Sequence, residues 1–370
     1  MKVKIIDKYI FSQVFWATIV CILLFSIIWI APEILLRTVQ RVLDGTYTLE
    51  RGISAILCEI PKILGNALPV GVFLGTLFVF DKLSKDSEVV ILRACGASFY
   101  RIIASVLVFG ALISCFAFFV YDRLIPYASV KYDIYKDYSP RVHFVFPVKT
   151  ENEMMKKVII VPSFYKEMIQ DVVVLNFSDL TDEKGKSVLK NIYMSDYVKY
   201  DPKNQTWIIN EAKSYDVTPE GVYSNVEVKK DIEILSGERA KNAYELMRFS
   251  MKRDRDLTNR ELKRYIKLLK AESMDDEYRF MLNKYLSRFS HSIIAICFVI
   301  FGALLGFAKP RDQRLIGFTL AVLTVFLYYI TMPFLDLMAE KGIFHPVITS
   351  FIAPVVMLFV IRFLRKKKDL

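Results

Sequence analysis

Six stretches of this 370-residue chain contain no Asp, Glu, Lys or Arg, and each is 18–24 residues long. They are residues 9–32, 63–80, 102–121, 289–308, 315–335 and 342–361. About 20 apolar residues of helix cross the hydrocarbon core of a bilayer, so each stretch is long enough to span it. One such run could be a buried helix of a soluble protein. Six cannot all be, and the chain reads as a membrane protein with six α-helical transmembrane spans. The first run occupies the place of a signal peptide. It is too long for one and no small-x-small cleavage site ends it, so it reads as a retained helix. Apolar letters make up 54% of the chain and 24% is still charged, so the charge must lie between the spans. That pattern excludes low-complexity, collagen-like and disulfide-stapled chains.

Lys and Arg in the connections set the orientation. Residues 1–8 carry Lys2, Lys4 and Lys8, and the 81–101 loop carries Lys82, Lys85, Arg93 and Arg101. The 309–314 loop carries Lys309, Arg311 and Arg314, and the tail carries Arg362, Arg365, Lys366, Lys367 and Lys368. Net of their carboxylates, these segments hold +9 of the chain's +11. Six spans put all four on one side, which the positive-inside rule makes the cytoplasm. The basic balance is thus a topology signal, and no nucleic acid partner is expected. Residues 122–288 then form one large extracytoplasmic insert, while the 33–62 and 336–341 connections are short. Cys21, Cys115 and Cys297 lie within spans, Cys95 on the cytoplasmic side and Cys58 near the outer interface. The insert has no cysteine and must fold without disulfides.

Within the insert the pattern changes to short runs of Val, Ile, Tyr and Thr. Strands are expected at 142–149, 157–161, 170–177, 187–200, 206–217 and 222–235. Turn chemistry separates them at Asp182–Gly185, Asp201–Asn204 and Pro219–Gly221. Six antiparallel strands at this spacing suit a sandwich or a partly open barrel, with Trp207, Ile209 and Tyr215 on one core-facing side. Thr258 to Glu261 has capping-box form and opens a helix with Leu262, Tyr265, Ile266 and Leu269 at helical spacing. Its other face carries Arg260, Lys263, Arg264, Lys267 and Lys270. This helix is either an amphipathic connector resting at the membrane surface or a contact for anionic lipid. The expected division is 1–122 (three spans, with a cytoplasmic helix near 85–97), 123–250 (β domain), 251–288 (connector) and 289–370 (three spans and the tail).

No catalytic chemistry is legible. Gly185-Lys186-Ser187 ends like a phosphate loop, but Leu180 stands where its first Gly should be, on the wrong side of the membrane. His143, His291 and His345 are too scattered for a triad or a metal set, and His143 reads as an ordinary surface or core histidine. No cofactor is expected. Ion-coupled transporters bury ionisable groups within their spans; here the spans are nearly free of them. If the chain transports, a partner supplies the work. The docking candidate is the 82–101 loop. Asp86 or Ser87 can cap a helix start and Gly96 can end it in the left-handed region. The resulting two-turn helix exposes Glu88 at its start and an Ala94-Cys95-Gly96 knob at its end; the alternative is a plain interfacial turn.

Ser87-Glu88 followed by Arg93-Ala94-Cys95-Gly96-Ala97-Ser98 resembles the cytoplasmic coupling-helix motif of the LptF/LptG permeases of lipopolysaccharide export. The likeness extends over the order of elements, through Leu257-Thr258-Asn259-Arg260-Glu261-Leu262 and the loop from Gly302 to Arg314. The Cys95-Gly96 pair is slightly closer to LptF than to LptG. The resemblance implies a bacterial inner-membrane permease with both termini cytoplasmic and a periplasmic β-jellyroll. It implies a second LptF/LptG-type subunit, a cytoplasmic LptB-type ATPase dimer, and jellyroll partners of the LptC and LptA type. It also implies that lipopolysaccharide enters a cavity lined chiefly by spans one and five. The coupling residues would be Glu88, Arg93, Ala94, Cys95 and Gly96.

A phosphorylated amphiphile needs cations at the rim of such a cavity. Arg37 and Arg41 are four apart, on one helix face just beyond the first span. Lys62 opens the second span and Arg123 follows the third. Arg forks can hold phosphate bidentately, and the alternative is that these side chains anchor to ordinary head groups. The reading is therefore a non-enzymatic exporter subunit. Competing classes are a permease of another ATP-driven lipid or lipoprotein exporter, and a membrane scaffold without transport.

Overall fold

The computed structural model describes residues 5–30, 34–135, 142–149, 155–165, 168–181, 187–218, 223–272, 274–307 and 315–367. Lys2, Lys4, Lys368, the 309–314 loop and the turns at 182–185 and 219–221 lie outside the described residues. So do Lys186 and the side chain of His143. The chain forms two units, one of residues 1–136 with 254–370 and the other of residues 137–253. In chain order the elements are α1 (Ile5–Ile30), α2 (Leu36–Leu43), α3 (Leu49–Lys85), α4 (Glu88–Ala94), α5 (Phe99–Phe119) and α6 (Ile125–Tyr135). Strands β1 (Val142–Lys149), β2 (Met155–Tyr165), β3 (Met168–Thr181), β4 (Ser187–Asp201), β5 (Thr206–Val217) and β6 (Tyr223–Ser236) follow. Helices α7 (Gly237–Ser250), α8 (Asn259–Ala271), α9 (Asp275–Gly306), α10 (Leu315–Glu340) and α11 (Pro346–Lys367) complete the chain.

Among the described residues six helical segments are long and apolar enough to cross a membrane: α1, α3, α5 continuing into α6, α9, α10 and α11. Two of them make the centre of the helical unit. Of the most apolar stretch of α3, 78% is buried, and of α9 72%, against 17–33% for the other four. Small residues explain why. A Cβ on Gly302 would lie 2.6 Å from the Phe73 carbonyl oxygen, and one on Gly306 2.8 Å from that of Leu77. Gly71 and Gly75 give α1 the same access, at Ile22 and Thr18. Backbones packed this closely gain the van der Waals contact that drives helix association in lipid. Aromatic rings fill the seam, with Phe73 stacked on Phe298 at 5.1 Å and on Phe301 at 5.4 Å.

The helices are longer than their uncharged cores, which corrects the expected short 33–62 connection. Most of it is helix, α2 and then the first turns of α3: Thr48 caps α3, accepting from the Arg51 N–H at 3.3 Å. Lys62 therefore lies more than three turns inside α3 rather than at its start. The third span likewise runs on through a π-helical turn, Val120–Leu124, into α6. The extra residue of such a turn re-aims side chains, here Asp122 and Arg123.

In the other unit the six strands among the described residues pair antiparallel in the order β1-β2-β3-β4-β5-β6. This is a single meander, so the two-sheet sandwich is not what forms. The sheet curls instead. Phe146 of β1 meets Trp207 of β5 edge-on at 6.0 Å, and Lys157 of β2 donates to the Ile234 carbonyl of β6 at 2.9 Å. Burial lowers the Lys157 pKa from its ordinary value. Helix α7 covers the inside: Trp207 Nε1 donates to the Ala240 carbonyl at 2.9 Å and Tyr244 stacks on Tyr200 at 4.3 Å.

A line of kinks produces the curl. Buried neighbours normally sit two apart on a strand. They step by three at Val161/Phe164, Ile169/Val172 and Ile209/Ala212, positions that the strand register sets side by side. Asp171 (φ 54) and Asp231 (φ 52) on this line adopt the left-handed backbone that bends a strand. The kink also corrects one expectation. Trp207 and Ile209 are fully buried, but the step to Ala212 reverses the alternation, and Ser214 rather than Tyr215 points inward.

The close seams generate a test. In Gly75→Leu the new side chain meets Thr18 backbone atoms at 2.7 Å, whereas in Gly317→Leu the nearest atom is 3.5 Å away. Overpacking costs about 1–3 kcal/mol. Thermal unfolding in mild detergent should show Gly75→Leu destabilised clearly beyond Gly317→Leu; equal midpoints would contradict the seam.

Candidate functional site

The candidate residues fall at the two ends of the helical unit. One is the loop end, at the α3–α4–α5 connection. The other is the insert end, where the chain leaves after α6 and returns at Asp254.

At the loop end, Glu88 to Ala94 form the expected two-turn helix. Ser87 does not cap it with its side chain; Ser87 itself takes φ 59, which turns the chain sharply out of α3. Gly96 ends the segment at φ 82, as expected. Val89 is buried and roots α4 on the bundle, while Arg93, Ala94, Cys95 and Gly96 are exposed. Val90 and Ile91 add 47% and 59% exposed apolar surface beside them. The knob is thus an apolar tip flanked by one cation.

Glu88 is only half exposed, because its Oε1 accepts a hydrogen bond from the Tyr9 hydroxyl at 3.1 Å. Two residues earlier on α1, Asp7 takes both Arg101 guanidinium nitrogens, at 2.6 and 2.7 Å. Ser84 donates to the Gly306 carbonyl at 2.9 Å. α1, α4, α5 and α9 are therefore fastened around the same turn. Asp7 and Tyr9 escaped the sequence reading, where Asp7 entered only as a charge to subtract.

At the insert end the expected cations do not form one cluster. Arg37 is exposed on α2. Arg41, one turn on, donates to the Tyr47 hydroxyl at 3.0 Å and its guanidinium lies 5.4 Å from the centre of that ring. Helix α2 sits against Gly52, where a Cβ would meet Val42 and Thr38. Lys62 lines a small cleft with Cys58, Glu59, Ile125, Ser129 and Arg255. Arg123 is exposed beside Asp122, at 3.4 Å.

The buried cation here is one the sequence reading passed over. Arg288 donates to the Leu257 carbonyl and Asn259 Oδ1, both at 2.9 Å, and to the Asp254 carbonyl at 2.7 Å. Nearby, Arg255 pairs with Glu59 at 3.4 Å, Ser129 donates to Asp256, and the Asn259 N–H donates to Asp122 at 2.8 Å. This network pins the returning chain onto α3, α6 and α9. A second set joins α9, α10 and α11: Asn283 and Lys284 hold the Asp336 carboxylate at 2.6 and 2.7 Å, and Thr349 and Ser350 donate to Asn283 Oδ1. His291 stacks on Tyr121 and lies 2.8 Å from the Tyr328 hydroxyl, so the spans hold more polar structure than their letters suggested.

The geometry offers an exposed apolar knob at one end, tied to the first span, and cations at the other. Residues 8–367 match a family model described as the lipopolysaccharide export system permease LptF/LptG. A comparison with individually curated proteins found no match.

Removing Arg288 would leave three acceptors without their donor. Arg288→Met should cost at least ~2–3 kcal/mol, since each orphaned buried group is worth about 1–3. Exposed Arg123→Met should stay within about 0.5 kcal/mol. Limited proteolysis at 254–259 should quicken in the first variant alone; identical cleavage in both would contradict the fastening role.

Proposed function

The chain belongs to the LptF/LptG family of lipopolysaccharide export permeases, and from that premise we propose how this permease subunit is oriented, powered and loaded. It sits in the bacterial inner membrane with both termini and α4 in the cytoplasm and the β unit in the periplasm. The excess of Lys and Arg at the loop end supports this orientation. It pairs with a second LptF/LptG-type subunit, and lipopolysaccharide enters between them beside α1 and α10. The curled sheet passes the lipid to jellyroll partners of the LptC and LptA type.

The observation that carries the mechanism is the fastening of α4 to α1. A cytoplasmic LptB-type ATPase dimer receives the knob of Ala94, Cys95 and Gly96, with Arg93 and Glu88 at its sides. ATP-driven closure of that dimer displaces α4. The Tyr9–Glu88 hydrogen bond ties α1 to α4 and the Asp7–Arg101 pair ties it to the start of α5, so α1 moves with this turn. On α2, the next helix in the chain after α1, Arg37 and Arg41 hold head-group phosphates through charge-assisted hydrogen bonds, and Lys62 and Arg123 add positive charge at the same end of the helical unit. Displacing α1 shifts those cations relative to the lipid, which is how hydrolysis at one end acts on cargo at the other. This chain supplies no nucleophile to the chemistry; its part is mechanical and electrostatic.

Co-purification with the ATPase after mild detergent extraction tests the reading. Glu88→Lys should leave the protein in the membrane and weaken ATPase capture. Gly96→Val should act likewise, because no atom lies within 4 Å of its Cβ position and the cost is purely that of a β-branched residue at φ 82. Undiminished capture by both variants would overturn the docking role. Wild type that captures no ATPase would contradict the proposed coupling.

A further inference from the structure

Helix α8 carries a basic stripe. Arg260, Lys263, Arg264, Lys267 and Lys270 are all exposed. At 100° per residue they fall within a band about 120° wide. Leu262, Tyr265, Ile266, Leu268 and Leu269 on the other side are buried. A helix with two such faces would ordinarily lie flat on a membrane, its apolar face down. This one stands up.

Its first turn is tied low, the Asn259 N–H to Asp122 at 2.8 Å and its Oδ1 to Arg288 at 2.9 Å. At its other end the chain reverses, the Met274 N–H donating to the Leu269 carbonyl at 3.0 Å, and α9 begins at Asp275. α8 therefore runs antiparallel along the first turns of α9, from the level of Arg288 to that of Asp275. The uncharged run of α9 starts at Phe289, so the hairpin rises from the edge of the hydrocarbon layer. From Arg260 to Lys270 the stripe climbs about 15 Å at 1.5 Å per residue. The head-group layer on each side of a bilayer is only about 5–7 Å thick.

We propose that this upright stripe binds the anionic saccharide head of the exported lipid, whose phosphates and carboxylates sit at several heights above the acyl chains. The proposal rests on the exporter reading above. A phospholipid offers one phosphate at one height and engages only the foot of the stripe. A tall, multiply anionic head can engage its whole length, and the apolar face needed for packing on α9 leaves the cations turned outward to meet it.

The test uses the full chain assembled with its second subunit in phosphatidylcholine nanodiscs, as wild type and as the triple variant Lys263→Gln, Lys267→Gln, Lys270→Gln. The probes are lipopolysaccharide with a phosphorylated core saccharide, lipid A without that core, and phosphatidylglycerol vesicles. The variant should bind the cored lipid roughly tenfold or more weakly at low salt, with the difference shrinking as salt rises. Its binding of lipid A should match wild type. Undiminished binding of the cored lipid overturns the proposal. So does an equal loss for lipid A or phosphatidylglycerol, which would make the stripe a general membrane contact. Wild type that binds neither lipopolysaccharide form would overturn the exporter reading itself, and the stripe's assignment with it.

Discussion

The helical unit depends on how closely α3 and α9 approach. Lipid tails are as apolar as leucine side chains, so burying apolar surface does little to hold membrane helices together. Contact distance does, and Gly302 and Gly306 let α9 rest on the backbone of α3 at Phe73 and Leu77. Gly71 and Gly75 bring α1 onto the same helix, and Gly110 brings α5 against Val299 of α9. The two central helices are consumed by this packing. The peripheral ones keep broad apolar flanks, such as Ile27 on α1, Phe326 on α10 and Phe359 on α11. Those flanks face lipid and, in the proposed complex, a second subunit.

Polar contacts do a different job. The charged ones cluster where the uncharged spans end. Asp7–Arg101 and Tyr9–Glu88 bind the first span to the loop between the second and third. Arg288 and its acceptors bind the chain returning from the β unit, and Asn283, Lys284 and Asp336 bind the last three spans to one another. In the proposed mechanism, close packing in the middle and fastening at both ends make the bundle move as linked levers. That is the property an exporter needs if force arrives at one face and lipid sits at the other.

Much of this was legible in the letters, for physical reasons that can be named. Charge is so costly inside a bilayer that its absence marked all six spans, and Val-, Ile- and Tyr-rich runs marked six strands. Those at 142–149, 187–200, 206–217 and 222–235 are within a residue of their limits, whereas β2 and β3 run several residues beyond the expected 157–161 and 170–177. The Thr258–Glu261 capping box formed with both of its hydrogen bonds. Gly96 took its left-handed turn. What escaped were features set by partners far apart in sequence. Charged residues at 50, 51, 59 and 62 hid the helical extension of α3, because absence of charge marks the bilayer rather than the helix. Tyr215 was assigned to the core because strict alternation takes no account of a kink at Asp171 and Asp231. Asp7, Tyr9 and Arg288 look like ordinary flanking residues until the fold brings their partners to them. The family motif pointed to α4 as the docking segment, but not to its attachment to α1.

That attachment is the central claim, and it is tested most directly by asking whether α2, the helix that follows α1, answers to ATP. A photoreactive residue in place of Leu36, beside Arg37 and exposed on α2, would be introduced into the chain reconstituted with its ATPase and loaded with lipopolysaccharide. Crosslinks to lipopolysaccharide should form without nucleotide and fall sharply on hydrolysis, and Tyr9→Phe combined with Asp7→Asn should blunt that fall while the ATPase stays bound. Crosslinks confined to bulk phospholipid, or a full ATP response in the doubly substituted chain, would contradict the account.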